Sequence, residues 1–228
     1  MKIIPPAFIT FTGADDKTDI GEMIKLSADY PVEFGILLSE KKHGEPHYPS
    51  LGWIRKLCAA NAVTAGRPLT LSAHLCRGYA HSAIEFCRSG MDAPLAAHFD
   101  RAQLNIGGVV EAPDPTRAAK EWAQKVGIPV ILQCRDQFPH DTRVQWLLDA
   151  SGGRGIRPGA WPAPAAESLC GYAGGIGPGT VRMDVAVIGS AASNYWIDME
   201  TGVRNDQNEF DLSMCREVCE AVYGERTS

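Results

Sequence analysis

Three short apolar runs in the second half of this chain each stop in a polar or glycine-rich turn. Leu147-Leu148-Asp149 meets Ser151-Gly152-Gly153-Arg154-Gly155. Tyr172-Ala173 meets Gly174-Gly175-Ile176-Gly177-Pro178-Gly179, and Trp196-Ile197-Asp198-Met199 meets Glu200-Thr201-Gly202. Runs this short, bounded by glycine and charge, read as strands rather than helices. The same spacing recurs upstream and predicts strands over residues 6–12, 32–38, 69–75, 101–106, 128–134, 144–150, 170–173 and 195–199.

Helical patterns fall between most of them. They cover 18–26 (capped by Thr18 or Asp19), 51–63 (capped by Ser50), 79–88, 115–125 (with Pro115 in the first turn) and 210–223. Strands alternating with helices argue for a parallel sheet covered on both faces, and eight is a number that closes a barrel. The expected architecture is α/β, a single (β/α)8 barrel forming one domain over residues 1–228. Two connections are expected to be irregular. Residues 135–143, after the fifth strand, are too few for a full helix, and residues 156–164, after the sixth, hold three prolines. They leave an outer face that a second copy of the chain can cover, so a homodimer is an expectation. In barrels of this kind active sites lie at the carboxyl ends of the strands, which is where these turns fall.

Composition narrows the function classes. The 228 residues are 45% hydrophobic and 21% charged, ordinary for a globular protein. A net charge of −5 gives no reason to expect nucleic acid or an anionic membrane as partner. No apolar run approaches the roughly 20 residues that span a bilayer, and the start does not read as a signal peptide. Seven cysteines, an odd number without a CxxC pair, favour reduced thiols in a cytoplasmic protein over a disulfide framework or structural zinc. No metal or cofactor is expected, and the partner is a small molecule.

The order of these segments resembles the phosphoribosylanthranilate isomerase family. Leu147-Leu148-Asp149 with Gly152-Gly153-Arg154-Gly155 is similar to the family's LLD…GGxG segment. Residues 173–178 are similar to its SGGLxPxN turn, and 198–203 to its DVSSGVE segment. Gln103-Leu104-Asn105 stands where the family has QLHG, and residues 34–38 resemble its GFVF strand. The resemblance implies a β/α barrel that converts an aminoaldose phosphate into an aminoketose phosphate. Asp149 matches the family's general acid. The family's base is a cysteine after the first strand, and here Thr12 replaces it. A threonine hydroxyl is no base unless another group activates it. His74 at the end of the third strand is a substitute candidate, and Cys76 a weaker one.

The resemblance also places a ligand among Lys41, Asn105, Gln133, Gly153, Arg154, Gly174, Gly175, Ile176, Glu200, Thr201 and Gly202. Backbone N–H groups of the seventh and eighth turns would cradle a phosphate. Glu200 stands where the family has serine, and a carboxylate beside a phosphate is unfavourable unless paired. Arg204, four residues on, is the expected partner. With such pairing the phosphate site survives; without it the ligand carries no phosphate. Glu33 and Arg135 also fall on strands or near their ends, while Asp198, inside the eighth strand, reads as structural. His43 and His47 lack further ligands at metal-site spacing. Two functions stay open: an aldose–ketose isomerase acting on a sugar phosphate or related molecule, and a barrel that binds a small ligand without turning it over. A lyase or aldolase fits less well, because no lysine sits clearly at a strand end.

Overall fold

The computed structural model describes residues 3–63, 68–86, 97–106, 112–165 and 167–226. Eight strands, each parallel to its neighbours, form a closed barrel in sequence order. They are β1 (Ile9–Thr12), β2 (Val32–Leu38), β3 (Thr70–Cys76), β4 (Arg101–Asn105), β5 (Val130–Cys134), β6 (Gln145–Asp149), β7 (Cys170–Ala173) and β8 (Tyr195–Met199). Helices α1 (Ile20–Asp29), α2 (Leu51–Val63), α3 (Gly78–Phe86) and α4 (Pro115–Val126) follow the first four strands. Helices α5 (Val181–Ala191) and α6 (Leu212–Tyr223) follow β7 and β8. Among the described residues no helix follows β5 or β6, as the short and proline-rich connections predict. None of these helices is long and apolar enough to cross a membrane.

Local chemistry sets the boundaries. The Asp19 carboxylate accepts the Glu22 N–H at 3.1 Å, the Ser50 hydroxyl that of Trp53 at 3.2 Å, and Asp114 that of Arg117 at 3.0 Å, so each caps a helix start. Helix α4 ends where Gly127 turns left-handed, at φ 81°. Strand β5 begins at Val130 rather than residue 128, because Pro129 has no N–H for the ladder. Helix α5 exceeds the sequence expectation. Its Val181, Val185, Ile188 and Gly189 are weak helix formers, but all four are buried, so packing overrides propensity there. The end of the helix anticipated over 79–88 and Cys87 fall outside the described residues. The other six cysteines carry free thiols.

Side chains of one parity on each strand face the helices. Phe11, Phe34, Leu71, Leu75 and Leu104 pack there with Met23, Leu57, Trp122 and Val218 in one apolar layer. The other parity fills the barrel, and its lower end is polar. Arg101 makes a two-pronged ion pair with Glu33, at 2.6 and 2.8 Å, and reaches Gln145 Oε1 at 2.9 Å. The Thr10 hydroxyl donates to Glu33 at 2.8 Å. The guanidinium lies 4.1 Å from the ring centre of Trp196 and 4.7 Å from that of Phe8. A cation stacked on aromatic faces and fully paired meets the conditions for burying charge.

The segment between β6 and β7 lies over the barrel as a strap. Trp161 packs edge-on against Tyr172 with ring centres 5.8 Å apart, and the Tyr172 hydroxyl donates to the Pro162 carbonyl at 2.8 Å. Arg157 pairs with Asp184 of α5, and the Trp161 indole N–H donates to the same carboxylate at 3.0 Å. These contacts do the covering that a helix does elsewhere.

Candidate active site

Strand register brings the upper inward positions together. Leu37, His74 and Gln103 are side by side on β2, β3 and β4, and Asp149, Ala173 and Asp198 on β6, β7 and β8. Above them opens a cleft of roughly 550 Å³, counting its mouth. Thr12, His74, Gln103, Asn105, Gln133, Asp149 and Asp198 line it from the strands. Ser151, Gly153, Gly155, Gly174, Gly175, Ile176, Glu200 and Thr201 line it from the turns. Thus sequence candidates from β1, β3, β4, β5, β6, β7 and β8 share one cavity at the carboxyl end of the barrel.

At its floor the Thr12 hydroxyl donates to Asp198 Oδ1 at 2.8 Å. Burial pushes the Asp198 carboxyl up to about 7; Glu33 and Glu200 add to the rise, while the Thr12 bond and Arg101 oppose it. At neutral pH both protonation states are therefore populated. Asp198, structural by its place inside the eighth strand, stands in the cleft lining instead. The signal that marks it is parity: it lies two residues beyond Trp196, on the inward face of a strand whose other members are apolar or aromatic.

His74 lies beside this pair, 1% exposed, and its Nε2 has no hydrogen-bond partner among the described residues. Gly35 makes the close approach possible. A Cβ there would stand 2.8 Å from His74 Nε2 and would collide with the Thr12 hydroxyl. Burial, then the charge of Arg101, hold His74 down to about 3, so the ring is neutral. Burial raises the Cys76 thiol to about 11, which keeps its proton in place at neutral pH.

Asp149 is tied into its own turn. Its Oδ1 accepts the Ser151 N–H (3.1 Å), the Ser151 hydroxyl (2.8 Å) and the Gly152 N–H (3.1 Å). Its Oδ2 accepts the Gly153 N–H at 2.6 Å and stands 3.4 Å from Arg135 Nη1. A carboxylate surrounded by donors organises a loop.

The structure departs from expectation at three cations. Lys41 is exposed on the β2–α2 loop and outside the cleft lining, its ammonium left in water. Arg154 is exposed too, its Nε donating to the Ser151 carbonyl at 2.8 Å. The expected Glu200–Arg204 pair is replaced by other contacts. Residues 201–203 form a 3₁₀ turn, so the spacing that aligns side chains four apart on an α-helix does not apply. Arg204 is buried and donates to the Gly13 carbonyl at 2.9 Å and the Asn208 carbonyl at 2.6 Å. Glu200 Oε1 meets His47 Nδ1 at 2.7 Å instead. Gly202 lies behind the lining, against the Ile176 carbonyl. Among the described residues no group of three His, Cys, Asp or Glu is placed to hold a metal.

No protein-family model matches the sequence, and no curated protein sequence matches it. Solved structures do. Phosphoribosyl anthranilate isomerase from Thermus thermophilus aligns over 96% of this chain and 99% of its own, with TM-score 0.60 and 17% identity. The enzyme of that name from Thermotoga maritima aligns over 96% and 100%, with TM-score 0.60 and 12% identity. TrpF from Jonesia denitrificans aligns over 95% and 97%, with TM-score 0.62 and 14% identity. At these identities the likeness is one of fold. It extends over nearly the whole length of each partner.

Proposed function

We propose that the chain is an aldose–ketose isomerase acting on a small sugar-derived molecule in the cleft above Thr12 and Asp198. The observation that carries this reading is the buried Asp198 carboxyl at the cleft floor, held by the Thr12 hydroxyl at 2.8 Å and pushed up to about 7 by burial. Isomerisation between an aldose and a ketose moves one proton from C2 to C1 and a second from the C2 hydroxyl to the C1 carbonyl oxygen, and a carboxyl matched to the working pH suits the transfer between the carbons. Thr12 orients the carboxyl through its hydrogen bond. His74, a neutral ring packed against Gly35 beside Thr12, shapes the floor on which the substrate would rest. Asn105 and Gln133 offer amides to further hydroxyls, and Asp149 holds the β6 turn in shape. The neighbouring isomerase structures support the reaction class by likeness of fold.

The test is deuterium incorporation at the carbon beside the carbonyl, followed by NMR in heavy water across aldoses, ketoses and their phosphate esters. Phosphoribosylanthranilate belongs in the same set, its turnover read by loss of fluorescence. Exchange that falls by about 10²-fold or more in Asp198→Asn supports the reading. Exchange with no substrate, or exchange indifferent to Asp198, defeats it. The saturation of Asp149 by its own turn favours a second reading, a barrel that binds without turnover. Ligand binding without exchange would select it.

A further inference from the structure

The turns after β7 and β8 present backbone donors to the cleft. Gly174, Gly175, Ile176 and Thr201 all line it, and among the described residues their N–H groups make no intramolecular hydrogen bond. Gly174 and Gly175 are successive residues at φ 122° and 65°, a left-handed stretch open to glycine that lets the chain turn tightly beside the cleft. Left alone, such a turn attracts phosphate. It is not left alone, because Glu200 lines the same end of the cleft. The His47 ring anchors its carboxylate at 2.7 Å, and His47 is itself fixed by its N–H bond to Asp15 at 3.1 Å. No lysine or arginine is among the described residues lining the cleft. His74 lines the same cavity as the neutral amides of Asn105 and Gln133, a set that suits hydroxyl groups rather than an anion.

We propose that Glu200 is a specificity residue that bars phosphate from the β7 and β8 turns, so that the cleft takes an unphosphorylated, polyhydroxylated ligand. The proposal rests on the isomerase reading only in that this ligand would be the molecule turned over; the exclusion of phosphate stands or falls by binding. A fixed carboxylate repels a phosphate dianion across a partly desolvated space, where charge is poorly screened. Removing the charge while keeping the shape should uncover the donors.

The experiment is titration of inorganic phosphate and of ribose 5-phosphate against wild type, Glu200→Gln and Glu200→Ser, by calorimetry and phosphorus NMR. Glu45→Gln serves as an exposed control of equal charge change. Circular dichroism and melting curves identify which Glu200 variant is folded. The expected result is no measurable phosphate binding by wild type or Glu45→Gln, and a gain of about 10-fold or more in at least one folded Glu200 variant. Wild type binding phosphate as well as the Glu200 variants overturns the proposal. So does an equal gain in Glu45→Gln, or an absence of binding in all four proteins. Failure of the isomerase reading shows separately, as absence of deuterium exchange, and leaves this result untouched.

Discussion

Asp198 holds its proton more tightly in the folded barrel than in the open chain, where an aspartate titrates near 3.8. As pH rises from about 4 to about 7 the unfolded chain loses this proton while the native protein keeps it. The contribution to stability is therefore full at acid pH, declines through that window and levels off above it. Asp198→Asn removes the decline. The variant should gain on wild type as pH rises, by up to ~4 kcal/mol at pH 8 and little at pH 4, in urea denaturation at the two pH values. His74 behaves in the opposite sense, since burial disfavours its charged form. Nitrogen-15 NMR of its ring should show neutral imidazole at pH 5, and a protonated ring there would contradict the described packing. Why one of these residues was legible and the other not follows from position. His74 falls near the end of a run that reads as a strand, whereas Asp198 is flanked by Ile197 and Met199, and only closure of the barrel turns its parity toward a cavity.

At the scale of elements, the β6 turn and the strap that follows carry the contrast between expectation and structure. The strand, the glycines and the lack of a helix are all local properties, written in Leu147-Leu148-Asp149 and in the prolines of the strap. The partner of Asp149 is not local in the same way. Whether a strand-end aspartate serves a ligand or its own turn depends on the path of the next four residues, and here three N–H groups and a hydroxyl return to it. Asp149→Ala should cost about 1–3 kcal/mol and speed amide exchange at Ser151, Gly152 and Gly153, because the donors of the turn lose their shared acceptor. Asp149→Asn, which keeps one carbonyl oxygen, should cost less. Trp161→Ala removes the apolar anchor of the strap, with an expected loss of about 3–5 kcal/mol in thermal or denaturant unfolding. Glu200 shows the same limit from another side. Its spacing to Arg204 suggests a pair, but a 3₁₀ turn and a loop from β2 give it His47 instead.

For the whole molecule, the ordering of strands and helices was readable because each alternation repeats a short pattern, and closure follows from their number. The polar interior was not readable, since Glu33 and Arg101 are 68 residues apart and meet only across the barrel. Breaking that pair strands a buried charge, so Arg101→Met should cost about 3–5 kcal/mol, while Arg101→Met with Glu33→Leu should cost less than the sum of the single changes. A double-mutant cycle in urea measures the difference. This plug also governs traffic. Arg101, clasped by Glu33 and Gln145 and laid on Phe8 and Trp196, closes the barrel from below, so the cleft is a blind alley. Whatever enters at the mouth must turn round and leave by the same door, and a long ligand can offer the reacting atoms only its tip.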